Sequence, residues 1–151
     1  MDNKLSFYTK YGWINVIEKN NKIVSIGFGK IKNNNSSILL KQLKKLIKGY
    51  FSGKIIVLKV SLEIVGTKLQ KKIWKEISKI PYGKTTSYGK IAKKLNTSPR
   101  YVGNICGQNK HLLFIPCHRV IRSDGNIGGF SGLGGVKLKK KLLDLESQKK
   151  K

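Results

Sequence analysis

Around Gly66 the apolar pattern changes from strand-forming runs to short helical stripes, and that change sets what the chain can fold into. Before it, Trp13-Ile14-Asn15-Val16-Ile17 and Lys22-Ile23-Val24-Ser25-Ile26-Gly27-Phe28 are rich in β-branched and aromatic residues. They meet at Asn20-Asn21, a pair that tolerates the positive φ angles of a tight hairpin. After the polar break Asn33-Asn34-Asn35-Ser36-Ser37, Leu39, Leu43, Leu46, Ile47 and Tyr50 recur at helical spacing, with Ser36 or Ser37 placed as the cap. Gly53 ends that helix, and Ile55-Ile56-Val57-Leu58 predicts a further strand.

Beyond Gly66, Thr67 is placed to cap a helix carrying Leu69, Ile73, Ile77 and Ile80, with Trp74 beside the stripe. A second helix is predicted from Tyr88 to Leu95, a turn at Asn96-Thr97, and a third helix capped by Ser98 with Pro99 at its first position. Two short helices joined by a tight polar turn resemble a helix-turn-helix. The second of them carries Arg100, Tyr101, Asn104 and Gln108, side chains able to meet phosphates or bases, and Gly103 and Gly107 keep it thin. A glycine-rich loop over residues 125–135 leads to a last helix over residues 136–146 that buries Leu138, Leu142, Leu143 and Leu145. The expected fold is therefore of the α/β (α+β) class. Residues 1–65 form a small sheet-plus-helix domain of structural purpose, and residues 66–151 a mainly helical domain with the helix-turn-helix.

Charge narrows the partners. The chain has 32 basic residues against 7 acidic ones, a formal net charge of +25. Only Arg100, Arg119 and Arg122 are arginines; the other 29 basic residues are lysines. Such an excess draws polyanions by counterion release and predicts nucleic acid as partner. An anionic membrane surface would be attracted too, and background composition or adaptation to heat produces the same lysine bias. No apolar run approaches the roughly 20 residues that span a bilayer, and Met1-Asp2-Asn3-Lys4 does not open a signal pattern. The expectation is a cytoplasmic protein without a membrane partner.

Cys106 and Cys117 are too few for a disulfide framework and fit a reducing compartment. Each is either core filler or a functional thiol. Cys117 lies in Pro116-Cys117-His118-Arg119-Val120-Ile121, beside two sources of positive charge or basicity. A free thiol titrates near ~8.5, so little of it is the reactive thiolate at neutral pH, and a neighbouring base matters. Adjacent side chains on a strand point to opposite faces, so His118 serves Cys117 only if the backbone turns there or a water bridges them; Pro116 favours a bend. Glu146 is the acidic residue best placed to orient the imidazole, from the end of the last helix. A metal site drawn from Cys106, His111, Cys117 and His118 matches no paired-ligand spacing, so neither metal nor cofactor is expected. Without further context, a packing cysteine beside an incidental histidine accounts for the pair better than a functional thiol does.

The segment Ile115-Pro116-Cys117-His118-Arg119-Val120 resembles the active-site motif of the O6-alkylguanine-DNA alkyltransferases, the methylated-DNA–protein-cysteine methyltransferases. Four more segments resemble that family and stand in its order over residues 67–146. They are Pro81-Tyr82-Gly83-Lys84-Thr85-Thr86-Ser87-Tyr88-Gly89, Ser98-Pro99-Arg100-Tyr101-Val102-Gly103, Gly128-Gly129-Phe130-Ser131-Gly132 and Leu142-Leu143-Asp144-Leu145-Glu146. The resemblance implies irreversible, single-turnover repair of double-stranded DNA by a monomer. Cys117 would take the alkyl group of an O6-alkylguanine flipped out of the duplex. His118 would act as base through a water, Glu146 would orient it, Tyr88 would donate toward the departing guanine, and Asn109 would brace the turn. Val120 and Cys117 carbonyls would hold the exocyclic amine, Ser131 would bond near O6, and the Phe130 ring would pack on the base. Arg100 would enter the stack in place of the flipped nucleotide, with Tyr101, Ser98 and Arg119 on the DNA. Phe130 stands where many members have tyrosine, Leu69 replaces a frequent phenylalanine, and the loop through Gly134-Gly135-Val136-Lys137 looks longer than in some relatives. Zinc, found in some members, is not implied, since residues 1–65 contain neither Cys nor His.

Three other classes compete. A noncatalytic alkyltransferase-like lesion binder lacks the reactive cysteine, which is present here. A helix-turn-helix regulator leaves Pro116 to Val120 and the glycine loop unexplained. A Cys-His hydrolase lacks any nucleophile-elbow context.

Overall fold

A computed structural model of the protein describes residues 2–130 and 135–150, with side chains through Ser147. The chain divides into two compact units, Met1–Ile64 and Val65–Lys151.

The first unit is an antiparallel sheet of three strands in the order β1 (Asn3–Thr9), β2 (Gly12–Lys19), β3 (Lys22–Phe28). The β2–β3 turn is the one the sequence predicts. Asn20 and Asn21 both take left-handed φ angles, 53° and 62°, which asparagine accepts and which match the twist of a hairpin. Ile14 and Val16 on β2 and Ile23 and Ile26 on β3 are fully buried or nearly so. Helix α1 (Ile38–Phe51) lies against β1 and β2 and closes the core with Leu40, Leu43, Ile47, Tyr50 and Phe51. Ser37 is its cap, accepting from the Leu40 amide at 3.1 Å.

Two features depart from the sequence reading of this unit. β1, which is not among the predicted strands, carries Leu5, Phe7 and Tyr8 and is defined by its pairing with β2, from Asn3↔Glu18 to Thr9↔Gly12. The expected strand at Ile55-Ile56-Val57-Leu58 is absent. The amides of Lys54 and Ile55 instead fold back onto the Gly49 carbonyl at the end of α1, and Val57 is 60% exposed. The ladder contact comes later, where Ser61 and Glu63 bracket Ile23 at 2.9 Å each.

The second unit is mainly helical. Helix α2 (Lys68–Ser78) opens with a capping box in which Thr67 and Gln70 satisfy each other's backbone amides. It buries Ile73, Trp74 and Ile77, and the Trp74 indole donates to the Ile105 carbonyl at 3.2 Å. A two-residue strand β4 (Thr86–Ser87) runs into α3 (Tyr88–Leu95), whose cap is Ser87. Asn96 ends α3 in the left-handed conformation, and Ser98 caps α4 (Pro99–Gly107) with Pro99 in its first turn. A buried segment then reaches a 3-10 turn, Cys117–Arg119, and strand β5 (Val120–Ile121), which pairs in parallel with β4. Helix α5 (Gly135–Lys150) closes the unit, burying Leu138, Lys139, Leu142, Leu145 and Glu146. Leu143, expected in that core, is half-buried. Among the described residues, no helix is long and apolar enough to cross a membrane.

The left-handed turn at Asn96 fixes how α4 leaves α3, and an alanine Cβ is strained there. Asn96→Ala is expected to lower the unfolding free energy by about 1 kcal/mol, whereas Asn96→Gly should leave it unchanged or slightly higher. Urea denaturation of the two variants beside the wild type measures both.

Candidate active site

The site is built at the turn that Pro116 imposes. Pro116 adopts φ −80° and ψ 66°, and the Cys117 amide donates to the Ile115 carbonyl at 2.7 Å across it, an inverse γ-turn. The chain then enters the 3-10 turn, so Cys117 and His118 are not on opposite faces of a strand. The sequence condition on the pair, that the backbone bend there, is met.

Cys117 is 3% exposed and lines a cavity of about 810 Å³. Tyr88, Gly103, Cys106, Gly128 and Phe130 line the same cavity, with Arg100 and Arg122. Asn109 holds the sulfur: its side-chain amide donates to Cys117 Sγ at 3.3 Å and to the Ile115 carbonyl at 2.8 Å. Its Oδ1 accepts from the His111 amide at 2.8 Å, so the asparagine is fixed from both ends. Burial pushes the Cys117 thiol above its ordinary range, opposed by the Asn109 hydrogen bond and by the charge of Lys139. Cys106 is pushed up to about 12, first by burial and then by Cys117, and no Asn109-like donor offsets this. Of the two thiols, Cys117 is the one whose sulfur accepts a hydrogen bond from Asn109.

Behind the sulfur lies a buried charged cluster. Glu146 accepts from His118 Nε2 at 2.7 Å, from Arg119 Nε and Nη2 at 2.8 and 2.9 Å, and from the Gly83 amide at 3.2 Å. Burial alone would raise the Glu146 carboxyl, but the hydrogen bonds from His118 and Arg119 outweigh it and hold it well below the usual range. Burial lowers His118, with Glu146 pulling the other way, so the ring is a neutral imidazole at neutral pH. With its Nε2 proton directed at a carboxylate, the lone pair sits on Nδ1. A neutral imidazole held in one tautomer by a carboxylate is a proton acceptor.

Arg119 corrects an expectation. The sequence places it on DNA; the residue is 8% exposed, and its guanidinium is engaged by Glu146 and, through Nη1 at 2.7 Å, by the Ile80 carbonyl. It is a structural cation of the core. Ser98 is exposed, with its hydroxyl accepting from the Tyr101 amide as the cap of α4; Tyr101 is half-buried and Arg100 exposed at the start of that helix. Val120 is fully buried. Ser131 lies outside the described residues.

Sequence reasoning missed Lys139. It is fully buried, and its Nζ donates to the Val120 carbonyl at 2.7 Å, the Gly129 carbonyl at 3.0 Å and Tyr88 Oη at 3.3 Å. Burial lowers it to about 8, while the neighbouring cysteines pull it back up. Tyr88 is raised to about 12, chiefly by burial, and remains a neutral donor. The available signal was position: Lys139 precedes Glu146 by two helical turns on the buried face of α5.

A cavity-lining thiol, a buried His–Glu–Arg cluster and a capped helix pair thus stand together in the second unit. Residues 68–148 match the family model for the 6-O-methylguanine DNA methyltransferase DNA-binding domain, and the chain belongs to that family. It is 48% identical over 100 residues to the methylated-DNA–protein-cysteine methyltransferase of Saccharolobus islandicus, a match covering 66% of this chain and 64% of that one. The aligned stretch thus spans under two thirds of that relative's length. Among solved structures it is similar to the O6-methylguanine methyltransferase of Mycobacterium tuberculosis, with a TM-score of 0.87 at 26% identity over 99% of this chain and 94% of the other. A second structure from that organism, called OGT and solved in complex with DNA, gives 0.85 at 28% identity over 97% and 93%. The mixed fold expected from sequence, a small sheet with a helix and then a helical region, is the one these structures share.

Glu146 supports stability as well as geometry. Its folded carboxyl titrates below its ordinary value of 4.5, so its contribution is complete above about that pH and is lost as pH falls below it. Glu146→Gln should destabilise the protein by about 3 kcal/mol at neutral pH, because it leaves Arg119 buried without its counterion. The variant's stability should also fall less steeply than the wild type's below pH 4.5. Denaturation at neutral pH and on down through roughly pH 5 to 2, where a depressed carboxyl takes up its proton, reads both effects.

Proposed function

We propose that the protein repairs DNA by moving an alkyl group from guanine O6 onto Cys117, once per molecule. The observation that carries this reading is the placement of Cys117: buried, held by Asn109, and facing a cavity beside a neutral, carboxylate-anchored histidine.

The chemistry follows from the groups present. His118 takes the thiol proton, through a water between the two side chains, and Glu146 stabilises the imidazolium that forms. The Cys117 sulfur attacks the alkyl carbon in line with the bond to O6; the C–S bond forms as the C–O6 bond breaks. The guanine leaves with the electron pair of the broken C–O6 bond; Tyr88 donates a hydrogen bond to its ring nitrogen, and the proton the base takes up balances the one His118 removed from the thiol, returned through water. Lys139 donates to Tyr88 Oη and so polarises that O–H; its charge also favours the ionised sulfur. The thioether has no route back to a thiol within this site, hence one turnover. The Val120 carbonyl already accepts from Lys139, so its second lone pair is the one left for the guanine amine.

The target base reaches the cavity by leaving the duplex, since O6 is not accessible to a buried sulfur inside a base stack. The α3–α4 pair acts as a helix-turn-helix, with Arg100 filling the vacated place in the stack and Tyr101 and the exposed end of α4 against the strand. The lysine-rich surface holds phosphates without reading sequence, which suits lesions that occur anywhere. The first unit is structural. All the reacting groups come from one chain, which supports action as a monomer, and the reading places it in the cytoplasm.

Incubation with duplex DNA carrying O6-methylguanine should add one methyl to the intact mass, mapped to Cys117, and Cys117→Ala should bind the same DNA without any gain. An unmodified wild type, or a methyl on another residue, rejects the assignment. Arg100→Ala should slow reaction with duplex by about tenfold or more relative to free O6-alkylguanine, since extrusion costs a few kcal/mol only in the duplex. Equal loss on both substrates removes the intercalating role.

A further inference from the structure

Arginine is rare in this chain, three residues against 29 lysines, and its three positions are informative. A lysine supplies the same charge, so an arginine is distinguished by its planar fork, which binds a carboxylate or phosphate through two parallel hydrogen bonds. Arg119 uses that fork on Glu146 in the core. The other two, Arg100 and Arg122, both line the cavity that holds Cys117, one from the first turn of α4 and the other from the turn after β5.

Resting on the alkyl-transfer reading, we propose that Arg122 is a phosphate clamp, gripping the backbone phosphate next to the extruded nucleotide while Arg100 fills the stack. Four observations support this assignment. The Arg122 side chain is 63% exposed at the cavity, and its ion pair with Asp124, itself 55% exposed, is long at 3.8 Å. Its guanidinium is therefore available to a stronger anion. The turn that carries it is fixed: the Arg122 amide donates to Asn126, and its carbonyl accepts from Gly125 at 3.0 Å. Its stem is set against the reaction site as well. Gly128, at φ +78°, is so placed that a Cβ there would lie 3.2 Å from the Tyr88 ring and 3.5 Å from Arg122 Cγ. The glycine lets the Arg122 stem and the Tyr88 ring close over the loop together, which couples a grip on the backbone to the group facing the leaving base.

The test compares second-order transfer rates on O6-methylguanine duplex and on free O6-benzylguanine, with the salt dependence of duplex binding measured alongside. For Arg122→Ala the duplex-to-free-base rate ratio should fall about tenfold, the loss of one charge-assisted hydrogen-bonded contact. The slope of log affinity against log salt should become shallower by about one. Arg122→Lys should keep the slope, because the charge remains, yet leave the rate ratio well below wild type. An unchanged ratio and slope in Arg122→Ala overturns the clamp, as does equal loss on both substrates, which would make Arg122 a support for Tyr88 alone. Full recovery of the ratio by lysine overturns the role of the fork. If wild type transfers no methyl, the alkyl-transfer reading fails by itself, and the salt slope still decides the phosphate contact.

Discussion

The carboxylate of Glu146 is the interaction on which the second unit depends. One buried anion receives hydrogen bonds from the imidazole of His118, from two nitrogens of Arg119 and from the Gly83 amide. It thereby ties α5 to the 3-10 turn that carries the thiol and to the segment leading into β4. Arg119 extends the tie to the Ile80 carbonyl at the end of α2. A charge buried this deeply is tolerable only when its partners saturate it, and removing one partner exposes the full desolvation cost of the rest. The contact that fixes the His118 tautomer therefore also ties these elements together, and on the proposed chemistry function and stability share one atom pair.

The buried face of α5 presents a second charge of opposite sign. Lys139, two turns before Glu146, reaches the Val120 and Gly129 carbonyls and the Tyr88 hydroxyl. One helix thus sets an anion behind the imidazole and a cation beside the sulfur and the phenol. Both charges cost solvation, and both are repaid only through fixed hydrogen bonds in a low-dielectric interior, where they act on a reacting group more strongly than they would in water. This division of charge along one helix face explains why a lysine is kept fully buried in a chain with many exposed ones.

Much of this was legible in sequence where local chemistry decides structure. Thr67 with Gln70, Ser98 with Pro99, and Asn20-Asn21 are capping and turn signals whose physics acts within a few residues, and the elements they mark stand where the spacing puts them. The failures are non-local. β1 is drawn into the sheet by β2, and Leu5 and Phe7 alone make an alternation too short to mark a strand. Ile55-Ile56-Val57-Leu58 has strand composition, but the chain turns back onto Gly49 before it can pair. Arg119 next to a candidate nucleophile reads as a surface cation until folding brings Glu146 against it. Lys139 is invisible among 29 lysines because only tertiary packing separates it from the solvated ones.

If the protein acts once, as the proposed chemistry requires, burial of the thiol has a consequence. An acceptor that is consumed by its own reaction gains nothing from a freely reactive sulfur, since every adventitious electrophile would remove a molecule from use. Cys117 is nearly inaccessible, and burial raises its titration, so in the resting protein the sulfur is chiefly the less nucleophilic thiol. The groups that favour the thiolate, Asn109 and Lys139, are fixed around it rather than supplied by solvent. On the proposed chemistry, a base entering the cavity displaces water and brings its alkyl carbon to the one place where sulfur, proton acceptor and leaving-group donor meet. Selectivity then lies in admission to the cavity, and the raised thiol is part of that selectivity rather than an obstacle to reaction.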